Sequence, residues 1–281
     1  MTEGAVSTSV LVVDGVALSF QGVRALADVT FAVSAREICA IIGPNGAGKS
    51  SMLNVINGIY KPDAGTIAFM GAKYARMHPY LAARLGIGRT FQNIALFKGM
   101  TVFDNLLTGR ALATRTNFLQ HALRTPTARR EEQRQRGQVE KVIDLLGLES
   151  HRNAIVGKLP YGLQKRVELG RALASAPKLL LLDEPMAGMT FEEKQEMCRF
   201  ILDANEALGT AIVLIEHDVM IVMDIADHIV VLDSGRIIAD GVPDEIQTNR
   251  DVIDAYLGVA PLPVAPSDFL RQAKQIHVVL D

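Results

Sequence analysis

One octapeptide constrains this chain more than any other feature. Gly43-Pro44-Asn45-Gly46-Ala47-Gly48-Lys49-Ser50 fits the spacing G-x-x-x-x-G-K-[ST]. Glycines in that order let successive backbone N–H groups converge on phosphate oxygens, and a helix beginning near Gly48 adds its positive end. Lys49 is then placed to reach β- and γ-phosphates, and the Ser50 hydroxyl to hold Mg²⁺. Such a loop needs a strand before it and a helix after it. Glu37–Ile42 is a short apolar strand, and Ser50–Asn57 has helical character with Gly58 as its stop. A chance glycine turn would lack both flanks.

A nucleotide site also needs an acidic metal partner at the end of a neighbouring strand. Leu179-Leu180-Leu181-Leu182-Asp183-Glu184-Pro185 supplies it. Taken alone, this is equally a buried strand meeting solvent at its end; beside the phosphate loop it reads differently. Asp183 is expected to hold the metal, directly or through water, and Glu184 to face the γ-phosphate and activate the attacking water. A second carboxylate directly after the metal acid favours hydrolysis over transfer to another small molecule.

The rest of the chain places these motifs in an α/β domain. Val10–Phe20 and Ala25–Val33 alternate apolar and polar residues around Gln21-Gly22, a strand pair with a turn. Thr66–Met70 follows turn chemistry at Pro62-Asp63-Ala64-Gly65 and reads as another strand. From Leu179 onward, strand, helix, strand, helix, strand succeed one another: Leu179–Leu182, Phe191–Leu208, Thr210–Ile215, Val219–Ala226, Ile229–Leu232. That alternation predicts a parallel sheet. A mostly helical middle, about 92–158, interrupts it as an inserted subdomain, and its charge run after Pro126 reads as a solvated helix face. Beyond Gly258 three prolines mark a stiff linker and a short tail.

Composition excludes several classes. With Lys+Arg 29 against Asp+Glu 31, net charge −2, the chain lacks the basic field of a nucleic-acid binder. Two cysteines, Cys39 and Cys198, cannot build a disulfide framework and are expected as small core residues. No apolar run approaches the roughly 18 residues that span a bilayer, and residues 1–10 carry no recognisable leader pattern.

At this point the chain resembles the ATP-binding subunits of ABC transporters, over nearly all of residues 10–257. The resemblance implies a RecA-like P-loop core with an antiparallel β subdomain and an inserted helical subdomain. The cassette would occupy 8–257, its helical subdomain being about 92–158 plus a signature helix at 159–175, with 258–281 as a C-terminal extension. It implies ATP and Mg²⁺ as ligands. Phe20 stands where the family has an aromatic that stacks on adenine, and Ser51 extends the phosphate loop. Gln92, in Arg89-Thr90-Phe91-Gln92-Asn93, matches the glutamine that joins the Mg²⁺ and water site to the membrane subunits. His217, in Ile215-Glu216-His217-Asp218, matches the switch histidine on the γ-phosphate. The signature stretch departs from Leu-Ser-Gly-Gly-Gln: here it is Leu159-Pro160-Tyr161-Gly162-Leu163-Gln164, so no serine hydroxyl is carried over. Tyr161, Gly162 and the helix start remain as phosphate contacts toward an opposing subunit. Thr190 stands where the segment after the catalytic acid usually has Asp.

These departures, with Gly86-Ile87-Gly88-Arg89-Thr90-Phe91-Gln92-Asn93 and Leu96-Phe97-Lys98-Gly99-Met100-Thr101-Val102, are similar to the branched-chain amino acid uptake subfamily. Lipopolysaccharide-export ATPases share part of the pattern. Soluble ABC ATPases of translation or DNA repair commonly carry two ATPase units, coiled-coil insertions or basic arms, none of which is seen here. The resemblance implies a peripheral subunit on the cytoplasmic face of a bacterial inner membrane. Its partners would be multi-spanning permease subunits, a second ATP-binding subunit, identical or paralogous, and an upstream periplasmic substrate-binding protein, with no nucleic acid.

Overall fold

A two-residue turn starts the fold. Gln21 and Gly22 both take positive φ, 47° and 86°, the geometry that matches the twist of a tight hairpin. It joins β1 (Ser9–Phe20) to β2 (Val23–Ser34). With β4 (Ala64–Phe69) and β5 (Ala72–Tyr74) these form an antiparallel sheet ordered β2-β1-β4-β5. The computed structural model describes residues 9–74, 76–92, 94–113 and 125–256; the expected 258–281 extension lies outside them.

The second sheet has six strands. β3 (Ile38–Ile42), β6 (Ile87–Arg89), β7 (Leu179–Asp183), β8 (Ala211–Ile215), β9 (His228–Asp233) and β10 (Arg236–Gly241) are ordered β10-β9-β3-β8-β7-β6. All pairs are parallel except β9–β10. Every residue of β3, β7 and β8 is buried, which is why those strands read as unbroken apolar runs. The edge strands β6 and β10 lie outside the expected alternation: one is three residues long, and the other has the mixed burial of an edge. Helix α1 (Lys49–Ile56) follows β3 directly. It packs with the inner face of the antiparallel sheet into one core through Met52, Leu53 and Ile56.

Helix α2 (Pro79–Leu85) precedes β6, and α3 (Val102–Thr108), α4 (Pro126–Leu145) and α5 (Tyr161–Ala174) form the helical insertion. Leu106, Val139, Ile143, Leu146, Val167 and Leu173 bury together there. Gly170 permits that contact, since a Cβ would stand 2.9 Å from Leu146 and 3.3 Å from Leu106. The charge run of α4 faces solvent as expected, apart from Ala128 and Gln135. Helix α6 (Phe191–Leu208) has the predicted limits; α7 (Val219–Ile225), α8 (Pro243–Thr248) and α9 (Arg250–Tyr256) complete the described chain.

Both cysteines are free and buried. Cys39 lies beneath His228, which pairs with Asp240 and, at 3.0 Å, with Glu37. Hydrogen bonds to Asp240, Cys39 and Glu37 push the imidazole up to about 12, so it carries charge and ties β3, β9 and β10 together. Among the described residues no helix is long and apolar enough to cross a membrane.

Candidate nucleotide site

The sequence folds the phosphate loop by steric necessity. Gly43 has φ 146°, and a Cβ there would stand 1.9 Å from the Leu232 carbonyl oxygen; at Gly48, φ 103°, it would stand 2.5 Å from that of Ala25. No other residue type tolerates that combination of conformation and closeness. Gly48 in the left-handed region opens α1 as its N-cap. Ala47 is buried, whereas Asn45, Gly46 and Ser50 are exposed at the mouth, with Pro44 and Ser51 half-buried. Lys49 is 8% exposed and folds back over the loop, its Nζ donating to the Gly43 carbonyl at 2.7 Å and the Pro44 carbonyl at 3.0 Å. Burial pushes its ammonium down, and the negative charges of Glu184 and Asp183 oppose that.

Opposite the loop, the ends of β7 and β8 and the segment after β6 bring three expected side chains together. Gln92 Nε2 donates to Glu184 Oε2 at 3.0 Å, and His217 Nδ1 lies 4.0 Å from Glu184 Oε1. The three residues come from three places in the chain, and only the sheet order β8-β7-β6 makes them neighbours. Glu184 itself is left-handed, φ 49°, which costs a non-glycine residue about 1–3 kcal/mol and persists where surrounding bonds impose it. Its N–H donates to the Ile215 carbonyl at 3.0 Å, and the next amide but one, that of Met186, donates to Glu216 Oε1 at 3.0 Å.

Phe20 ends β1 with 42% of its surface exposed and its ring edge-on to Tyr60, centroids 5.0 Å apart. It presents an open aromatic surface at the sheet end. Ser50, Gln92 and Asp183 offer a hydroxyl, a carboxamide and a carboxylate, the hard oxygen donors that suit Mg²⁺. Among the described residues no cluster of three or more His, Cys, Asp or Glu forms a cage.

Several residues of the site carry no role in the sequence reading. Arg89 Nη2 pairs with Asp183 Oδ2 at 3.0 Å, both side chains being more than nine-tenths buried, while its Nη1 donates to Asn54 Oδ1 of α1 at 2.7 Å. Arg89 thereby ties the metal acid to the phosphate-loop helix. Its signal was its place three residues before Gln92, on an edge strand too short to announce itself. Three side chains of α5 hold the segment after β6: Lys165 donates to the Gln92 carbonyl at 3.1 Å, Glu168 accepts from Ala95 N–H at 3.3 Å, and Arg171 donates to the Ala95 carbonyl. Removing one partner of a buried pair leaves the other unpaired. Arg89→Ala is therefore expected to lower stability by about 3–5 kcal/mol, with much of that recovered when Asp183→Asn is added. Denaturant midpoints of both variants check this, and an unchanged midpoint for Arg89→Ala would contradict the pairing.

The side chains of the signature segment are engaged within the chain. Pro160 is the N-cap of α5 and offers no side-chain bond. The Tyr161 hydroxyl donates to the Ala187 carbonyl of the same chain at 3.2 Å, and a Cβ on Gly188 would touch its ring at 3.3 Å. Gly162 is buried, and a Cβ there would stand 2.2 Å from Glu193 Oε1, so its side-chain space is filled from within. Glu193 in turn forms a capping box with Thr190: the Thr190 N–H donates to Glu193 Oε2 at 2.9 Å, and the Glu193 N–H to Thr190 Oγ1 at 3.3 Å. Threonine at position 190 thus has a local reason, the start of α6.

Comparison with known proteins places this geometry. The profile of the ABC transporter family matches residues 26–187, and that of the branched-chain amino acid ATP-binding cassette transporter C-terminal segment matches 236–261. The chain is 39% identical over 254 residues to the high-affinity branched-chain amino acid transport ATP-binding protein LivG of Salmonella typhimurium, covering 90% of this chain and 100% of that one. It is 30% identical over 250 residues to the lipopolysaccharide export ATP-binding protein LptB of Haemophilus influenzae, covering 89% and 98%. A crystal structure of the ADP conformation of MJ1267, an ATP-binding cassette of an ABC transporter, superposes with TM-score 0.77 at 31% identity, covering 89% of this chain and 99% of that one. With the phosphate loop, the Asp183-Glu184 strand end and the Gln92–Glu184–His217 convergence, the chain belongs to the ABC transporter family of ATP-binding proteins, on its branched-chain amino acid branch, and is an ATPase.

Proposed function

We propose that this chain is the ATP-hydrolysing subunit of an importer for branched-chain amino acids or related small polar solutes. The observation that carries the reading is the convergence of Gln92, Glu184 and His217 opposite the Lys49 loop. Phe20 stacks the adenine, residues 43–51 enclose the phosphates, and Lys49 leaves its two carbonyls for the β- and γ-oxygens. Ser50, Asp183 and Gln92 would hold Mg²⁺, which would supply neutralisation of phosphate charge. Glu184, oriented by Gln92, accepts a proton from the attacking water, while His217 faces the γ-phosphate. Two such chains close head to tail, each α5 start lying over the partner's nucleotide. With Gly162 turned inward and no hydroxyl at position 160, backbone amides and the helix dipole make that contact.

The chain acts at the cytoplasmic face of the inner membrane, bound to permease subunits that receive solute from a periplasmic binding protein. Support for a docking place comes from a cleft of about 950 Å³ between α2, β6 and the helical insertion. Arg84, Arg89, Arg110, Arg134, Arg171 and Lys178 line it, among the described residues no carboxylate does, and Tyr80 and Phe91 are exposed there. An amphipathic permease segment with acidic residues matches such a surface. The closer similarity to an amino acid transport protein than to an export ATPase, 39% against 30%, supports import over export. Co-expression with the permeases and binding protein tests the reading. The chain should purify with both permeases from membranes, and leucine-loaded binding protein should stimulate its ATPase activity in proteoliposomes. Recovery of the chain without either permease, or indifference to the loaded binding protein, contradicts it.

A further inference from the structure

The loop that follows the catalytic acid is held by a residue to which the reaction assigns no part. Glu184 sits at φ 49°, a conformation that relaxes unless its neighbours forbid it. Its own N–H is fixed by the Ile215 carbonyl, and the turn continues with Ala187 N–H on the Glu184 carbonyl at 3.2 Å. Between them stands the Met186 N–H, which points to the side chain of Glu216 at 3.0 Å. Glu216 is 1% exposed. Burial pushes its carboxyl up, and the Met186 and His217 amides pull it back. A buried carboxyl is costly to keep, and an apolar residue there would leave the Met186 amide unpaired. Glu216 also immediately precedes His217, and Asp218 beyond it pairs with Lys194 of α6 at 2.9 Å. The two ends of this short stretch therefore hold the segment 184–194 at two points, Met186 and Lys194.

We infer that Glu216 is a positioning residue for hydrolysis: by accepting the Met186 N–H it locks the turn after Glu184, keeping that acid in its left-handed conformation and in register with His217. The inference rests on the reading of Glu184 as the base. What matters is the acceptor, not the charge. Glutamine at position 216 keeps a carbonyl oxygen at the same reach, whereas alanine leaves nothing for the Met186 amide.

Three variants of the full chain test it, Glu216→Ala, Glu216→Gln and Glu184→Gln, each assayed for turnover at saturating Mg-ATP, for affinity toward a fluorescent ATP analogue and for thermal midpoint. Glu216→Ala is expected to lower kcat about tenfold or more, since a displaced base costs rate steeply, with nucleotide affinity within about twofold of the parent. Glu216→Gln is expected to stay within about fivefold of parental kcat. Undiminished kcat in Glu216→Ala overturns the inference. So does loss of nucleotide affinity along with kcat, which would mark Glu216 as support for the whole sheet end. A Glu216→Gln variant as impaired as Glu216→Ala overturns it too, by assigning the effect to charge. If Glu184→Gln keeps full turnover, the base assignment falls and takes the inference with it. If Glu184→Gln is inactive and Glu216→Ala is intact, the base stands and the inference alone fails.

Discussion

Glu184→Gln is expected to bind ATP as the parent does and to hydrolyse it roughly 10²–10⁴-fold more slowly. The parts proposed to hold nucleotide are elsewhere: the loop 43–51 with Lys49 on α1, and Asp183 paired with Arg89. The substitution alters one oxygen of a side chain that is already in place. An amide can still sit against Gln92, but it cannot accept a proton from water, so the loss falls on the chemical step and not on binding. Steady-state phosphate release beside titration of a fluorescent ATP analogue separates the two. Near-parental turnover would show that another group activates the water.

Lys49→Ala is expected to act on binding itself, weakening ATP affinity at least about tenfold. The Lys49 ammonium rests on the loop's own carbonyls, at 2.7 and 3.0 Å. Those bonds preset the side chain beside the place where β- and γ-oxygens arrive, so little ordering remains to be done when they do. Each charge-assisted contact to phosphate is worth about 1.5–3 kcal/mol, and alanine supplies none. The fold should tolerate the change, because the glycine geometry at positions 43 and 48 is set by packing against Leu232 and Ala25 and not by the lysine. Unchanged affinity in the same titration would remove the phosphate-loop assignment.

Contiguous chemistry was legible in the sequence, and chemistry assembled from distant pieces was legible only through resemblance. The phosphate loop announces itself because glycines, lysine and serine must follow one another at fixed spacing, and the interior strands do because burial on both faces leaves only apolar residues. The limits of α6 were readable since Thr190 and Gly209 stop it at both ends. Gln92 and His217 carry no local mark; sheet order alone sets them beside Glu184. Arg89 and Glu216 were unreadable for a related reason. A buried ion in a sequence looks like any surface charge, and its partners, Asp183 and the Met186 amide, stand 94 and 30 residues away. The surroundings of Gly162 were unreadable in the same way, since Glu193, 31 residues on in the chain, fills the space a side chain there would take.

The central proposal is that two of these chains close on ATP and that hydrolysis at Glu184 lets them open again. Size-exclusion chromatography of Glu184→Gln with and without Mg-ATP tests it most directly, with Lys49→Ala/Glu184→Gln, run at an ATP concentration that leaves its weakened site empty, as the control. The account predicts a monomer without nucleotide or with ADP, a dimer retaining about two ATP per pair with Mg-ATP, and no dimer in the double variant. A Glu184→Gln chain that binds ATP tightly and stays monomeric at every concentration tried would contradict closure of two copies of this chain on ATP.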